Sequence, residues 1–197
     1  MYPIDELVYV EEIKAVTVKI EDSVAPTVLI TGVAGGTTYG DSLDLEIAWE
    51  AIDSGSRVKS VTGTLDGEPV MSGTVQSLYK LALGEHTLTV TAVDNTGNQT
   101  VQTVKFSIET STDDISALID RFEAAGKLNG TGAAKLQERI AKVMVSEDKG
   151  RERDKKKLER FVETVNDPKI VSDAQVRTLL LRDLDALIAE NGGTPES

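Results

Sequence analysis

Residues 83–98, Leu-Gly-Glu-His-Thr-Leu-Thr-Val-Thr-Ala-Val-Asp-Asn-Thr-Gly-Asn, constrain the fold more than any other stretch of the chain. Leu88, Val90 and Ala92 alternate with Thr87, Thr89 and Thr91, the period-two pattern of a strand with one buried and one solvated face. The strand runs straight into Asp94-Asn95-Thr96-Gly97-Asn98, a turn in which Gly97 supplies a positive φ. Six more segments of this kind precede or follow it, near 27–33, 43–52, 57–65, 68–72, 75–83 and 100–109. Seven short strands in about 85 residues predict an antiparallel β-sandwich over 26–110.

Within it, Leu43, Leu45, Ile47, Trp49 and Ala51 share one face, which places Trp49 inward. Val104, Phe106 and Ile108 do the same in the last strand. Asp66-Gly67 reads as a two-residue hairpin turn with both central residues at positive φ. Pro69, which has no N–H to give a neighbour, marks an edge strand.

Near residue 110 the apolar period changes from two to 3.6. Ile115, Leu118, Ile119, Phe122 and Leu128 line one helix face. A second helix follows Gly130-Thr131-Gly132, with Leu136, Ile140, Val143 and Met144 on its stripe. A third carries Leu158, Phe161, Val162 and Val165 and closes at Pro168. The fourth opens on Ser172-Asp173-Ala174-Gln175, read as a capping box from Ser172 to Gln175, and stops at Gly192-Gly193. Four amphipathic helices on short connections predict a four-helix antiparallel bundle over 111–197, ending in a short disordered tail. The fold class is therefore multi-domain, all-β followed by all-α. Residues 1–25 read as an extended segment: Leu7–Val10 and Ala15–Ile20 look like the last strands of a preceding domain, and 22–26 like a linker.

Charge divides along the same line. Up to Ser111 there are 6 Lys and Arg against 16 Asp and Glu, and beyond it 15 against 17. The acidic first half would repel phosphates and anionic lipid headgroups, which argues against nucleic acid as a partner. No apolar run approaches the ~20 residues of a membrane span, so no membrane insertion is expected. Met1-Tyr2-Pro3-Ile4-Asp5-Glu6 has neither the basic start nor the apolar stretch of a signal peptide, so a secreted origin would make the chain a fragment.

Cysteine is absent and His86 is the one histidine. Disulfides, thiolate metal sites and thiol nucleophiles drop out together, and serine–histidine chemistry is left with a residue that reads as an exposed strand end. Acid pairs are plentiful, yet glycoside hydrolysis needs two carboxylates fixed across a cleft. No catalytic residue is assigned, and the chain reads as no enzyme.

Three sets of residues are candidates for binding. Asp22, Asp53, Asp94, Asn95 and Asn98 carry hard oxygen donors in turns and could hold calcium, while the same residue types favour turns without any ion. Tyr39 and Tyr79 could stack on sugar rings or simply pack. Lys155, Lys156 and Lys157 sit in Lys149–Arg160, a run of seven basic and three acidic residues. That run suits either a polyanion or a solvated face of local ion pairs.

Two family resemblances follow from these residues. Pro26-Thr27-Val28, Asp53-Ser54-Gly55-Ser56-Arg57-Val58, Leu65-Asp66-Gly67 and the segment from Leu83 to Asn98 resemble bacterial immunoglobulin-like domains. Leu118 to Leu128, Leu136, Lys157 to Val162, and Ser172 with Ala174 resemble the FIMAH type of helical domain. The charge density of Lys149–Arg160 departs from that pattern. Together the resemblances imply an extracellular or cell-surface location in a Gram-positive bacterium, and a noncatalytic accessory region of a polysaccharide-active enzyme. They also imply an upstream catalytic domain as partner in the same protein, and polysaccharide or cell-wall polymer as the alternative ligand.

Overall fold

The computed structural model describes residues 22–144 and 151–191. The strand expectations for residues 7–20, the first residues of the basic run and the glycine stop at 192–193 lie outside them. Among the described residues the chain forms eight strands and then four helices. The strands are β1 (Thr27–Thr31), β2 (Thr38–Gly40), β3 (Asp44–Ile52), β4 (Val58–Leu65), β5 (Glu68–Val70), β6 (Thr74–Ser77), β7 (Gly84–Asp94) and β8 (Gln99–Glu109). The helices are α1 (Thr112–Ala124), α2 (Gly130–Met144), α3 (Arg151–Asn166) and α4 (Ala174–Asn191).

The strands make an immunoglobulin-like sandwich of two sheets, ordered β1-β3-β6 and β2-β8-β7-β4-β5. β7 is its spine. His86, Leu88, Val90, Ala92 and Asp94 are all buried, and the residues between them are not. Phe106 and Ile108 of β8, and Leu65 of β4, complete that inner face, with Ile47 of β3 buried in the same cluster. The hairpin between β4 and β5 has Asp66 at φ 53° and Gly67 at φ 87°, as a two-residue turn with this twist requires. β5, carrying Pro69, is an edge strand.

Three expectations need correction. Thr38–Gly40 forms a short strand with no alternation to announce it, and it pairs parallel with β8, so the sandwich is not wholly antiparallel. The strand expected over 75–83 breaks after Ser77 into a 3₁₀ turn, Leu78–Lys80, because Leu78 plugs the core while its N–H donates to Leu43. Trp49 does point inward, over Gly63, where a side chain of any size would collide with the indole. It is nevertheless only half-buried, because β6 pairs with β3 no further than Ile47.

The helices pack in a ring, each on the next, with α4 closing against α1. Their core is separate from that of the sandwich and includes Ile115, Leu118, Phe122, Leu136, Ile140, Phe161, Leu180 and Leu184. Helix starts depend on single side-chain acceptors. Ser111 Oγ accepts from Asp114 N–H at 3.1 Å, and Asn129 Oδ1 from Gly132 N–H at 2.7 Å. α2 thus begins at Gly130 itself. In α4 the cap is Asp173, whose Oδ1 accepts from Gln175 and Val176 N–H, and not the expected Ser172.

Candidate functional site

Two acidic clusters and two clefts stand out, and the positions of the candidate residues follow from the strand ends that carry them. The first cluster lies where β7 turns into β8. Asp94, Asp53 and Asp22 each bring one carboxylate oxygen within 4.8 Å of the others. The loops therefore bring together the three aspartates among the five candidate calcium ligands, and Asn98 joins them by donating its amide to the Asp22 carbonyl at 2.9 Å.

The surrounding donors are dense. Asp94 Oδ1 accepts the N–H groups of Thr96 at 2.9 Å, Gly97 at 2.6 Å and Asn98 at 2.8 Å. Its Oδ2 accepts from Asn98 Nδ2 at 2.8 Å. Asp22 takes Val24 and Ser56 N–H, and Asp53 takes Arg57 N–H. The Asn95 amide donates to the carbonyls of Ser56 and Arg57, tying the turn to the β3–β4 loop. Burial pushes the Asp94 carboxyl up, but donation from Asn98, Thr96 and the backbone outweighs it and holds the group far below the usual carboxylate range. For Asp22 the Val24 and Ser56 N–H groups lower the carboxyl.

At the opposite end of β7, His86 is buried rather than exposed. Its Nδ1 faces Asp66 Oδ2 at 2.6 Å and its Nε2 the Ala82 carbonyl at 2.9 Å, and the ring stacks on Phe106. It staples the β4–β5 hairpin to the sheet, a structural task.

The second cluster joins the two halves. Arg182 of α4 reaches into the sandwich and donates to the carbonyls of Leu81 (2.6 Å) and Tyr79 (3.2 Å) and to Asp41 Oδ2 (2.5 Å). Its Nε also holds Asp183 of its own helix at 2.7 Å. Asp41 and Asp183 are both fully buried. Beside them Arg121 of α1 binds both oxygens of Asp44 at 3.0 Å, and Ser42 Oγ donates to Asp114 at 2.5 Å. A methyl group on Gly40 would collide with that same Asp114 carboxylate, so a larger residue there would have to displace it. Of these junction residues, sequence reasoning singled out only Tyr79 as a candidate for binding.

Of the two tyrosines, Tyr39 packs edge-on against Phe106 and accepts Ala34 N–H, so it belongs to the sandwich core. Tyr79 belongs to the junction. It meets Phe122 edge-on at 5.5 Å, with the Arg121 guanidinium 4.8 Å from its ring centre. The structure therefore places the two rings in different cores. Tyr79 also lines a cleft of about 570 Å³ shared with Lys80, Lys127, Gln175 and Thr178. A second cleft, about 490 Å³, lies between α2 and α3 and is lined by Arg139, Lys142, Lys157 and Arg160. Lys157 donates to the Lys142 carbonyl there, while Lys155 and Lys156 are exposed.

The arrangement defines a class: an immunoglobulin-like sandwich joined through hydrogen bonds and ion pairs to a four-helix unit. Residues 112–189 match the FIMAH domain family, and the helical half is a FIMAH domain following a β-rich region. Among solved structures, the chain is similar to the fibronectin(III)-like modules of Clostridium thermocellum CbhA (24% identity, TM-score 0.37, 46% of this chain). It is also similar to an endo-beta-1,4-mannanase from Thermotoga petrophila (12%, 0.38, 46%). A third is an adhesin variant, SrpA, from Streptococcus sanguinis (16%, 0.34, 47%). The matches cover 50%, 21% and 62% of those chains, less than two thirds of each. No curated protein matches the chain. Among the described residues no helix is long and apolar enough to cross a membrane.

Proposed function

We propose that this chain is a noncatalytic accessory region of a larger secreted protein, in which the sandwich and the FIMAH domain act as one rigid arm. The observation that carries this reading is the junction. Arg182, Arg121, Asp114 and Tyr79 cross between the halves through hydrogen bonds, ion pairs and ring contacts, where a flexible tether would need none of them. An arm of fixed geometry sets where an attached catalytic domain sits relative to an insoluble polymer, and so raises effective concentration without touching the chemical step. The resemblance to modules of Gram-positive extracellular enzymes supports a polysaccharide-active parent and a cell-surface or extracellular setting.

The absence of cysteine makes the test simple. Spin labels on Gln102→Cys in β8 and Glu159→Cys in α3 should report a single narrow distance distribution at pH 6. A broad or multimodal distribution would mean the halves swing freely and would sink the rigid-arm reading.

A second reading has its own observation. The junction cleft sets Tyr79 beside Lys80, Lys127 and Gln175, an aromatic ring among cationic and amide donors that suits a polysaccharide or an anionic wall polymer. Pull-down on insoluble glycan and wall preparations, repeated with Lys80→Ala and Lys127→Ala, tests it. Retention that salt and either substitution weaken would favour binding over spacing.

A further inference from the structure

The junction holds a charge imbalance. Asp41, from the β2–β3 connection, and Asp183, from α4, are both fully buried and share one guanidinium. Arg182 satisfies one oxygen of each. The other two, Asp41 Oδ1 and Asp183 Oδ2, are buried with no hydrogen-bond partner, and so is the neighbouring Thr110 Oγ1. The groups facing the pair make matters worse for two ionised carboxylates. Asp114 of α1 adds a negative charge acting on Asp41, and Arg121 is already engaged with Asp44. Buried like charges with one counter-charge between them favour uptake of a proton, which removes the repulsion and gives an orphaned oxygen a donor.

We propose that Asp41 and Asp183 together bind one proton, and that this shared proton locks the FIMAH domain onto the sandwich. The site is a carboxylic acid pair whose ligand is H⁺, a device that would couple the arm's rigidity to the acidity of its surroundings. The electrostatics agree with the geometry. Burial, and then the charge of Asp41, push the Asp183 carboxyl up to about 7 against the opposing pull of Arg182, and burial raises Asp41 as well. The two titrate as a pair.

An acid whose folded value is raised stabilises the fold most below its unfolded value, here near 3.8, and the contribution is lost as pH rises through about 7. The junction is accordingly tight in mildly acidic conditions and loosened in alkaline ones.

The test uses the full chain. Carboxyl carbon NMR should show one aspartate of this pair titrating with a midpoint between about 6 and 8. In parallel, the melting temperature should fall by roughly 4 °C between pH 5.5 and 8.5, and Asp183→Asn, whose amide donates permanently where the proton would, should flatten that slope to under about 1 °C. The comparison between the two proteins cancels the contributions of the groups they share. Spin labels at residues 102 and 159 should give a broader distribution at pH 8.5 than at pH 6 in the unsubstituted junction, and an unchanged one with Asp183→Asn. If every aspartate finishes titrating below about pH 5, or if Asp183→Asn keeps the full slope, the proposal is overturned. It is equally overturned if stability at pH 8.5 depends on whether sodium or potassium is present, because the site would then take a metal cation in place of the proton.

Discussion

The two acidic clusters of this molecule are built from the same residue type and behave in opposite ways. At the β7–β8 turn three aspartates meet and the buried one is held strongly ionised. At the junction two aspartates meet and both are pushed toward the neutral form. Burial is common to both, so it does not decide the outcome. Donor supply does. Asp94 sits in a nest of backbone N–H groups that the turn aims at it, whereas Asp41 and Asp183 divide a single guanidinium.

The sharpest way to break the contrast is to remove the guanidinium that Asp41 and Asp183 share. Arg182→Ala leaves two buried carboxylates facing each other and frees the Tyr79 and Leu81 carbonyls. It should destabilise the protein by about 3 kcal/mol, read as the shift of a urea unfolding midpoint. A loss indistinguishable from that of an exposed arginine would mean that the junction is held by its other contacts, Tyr79 on Phe122, Arg121 on Asp44 and Ser42 on Asp114.

At the turn, donors outnumber carboxylates, so the aspartate is the group to remove. Asp94→Ala strands the Thr96, Gly97 and Asn98 amides and should lower the melting temperature by roughly 5 °C. Asp94→Asn keeps an acceptor and should recover part of that. The pH signature is opposite to that of the junction. A carboxyl held below its unfolded value contributes stability that is present above about pH 4 and is lost as the pH falls through the folded value. Acidification should therefore weaken the wild-type turn and leave Asp94→Asn flat, and a parallel acid loss in both proteins would assign the effect elsewhere.

How much of this could be read from the chain depends on parity and phase. Alternation in Leu88, Val90 and Ala92 located the spine of the sandwich, and the same parity extended by one step each way includes His86 and Asp94, both buried. By residue type His86 reads as an exposed strand end, but the register of the strand puts it inside. Asp183 carries a similar signal, falling between Leu180, Leu184 and Leu187 in phase with the apolar stripe of α4. A polar residue in phase with a buried face is the trace that a buried polar site leaves in sequence. The pairing of Arg182 with Asp41, 141 positions away, leaves none, because no local pattern encodes which helix end meets which loop. β2 was missed for the same reason: three residues pair with a strand nearly 70 positions on. Asp22, Asp53 and Asp94 are legible in the sequence as oxygen donors in turns, whereas their convergence and the N–H groups that occupy them are not.

Those N–H groups govern the smallest effect expected. Calcium takes six to eight oxygens, and a carboxylate that binds it offers its lone pairs to the ion. Here the Asp94 lone pairs already meet the amides of Thr96, Gly97 and Asn98 and the Asn98 side chain, and both oxygens of Asp22 meet N–H donors. An ion would have to displace several of these hydrogen bonds to gain its coordination shell. Millimolar calcium should therefore move the melting temperature by less than about 1 °C, the range of a site left unfilled. A rise of several degrees that Asp53→Asn abolishes would show that the three carboxylates prefer a cation to the turn's own amides, and would make the two clusters alike in needing a positive partner after all.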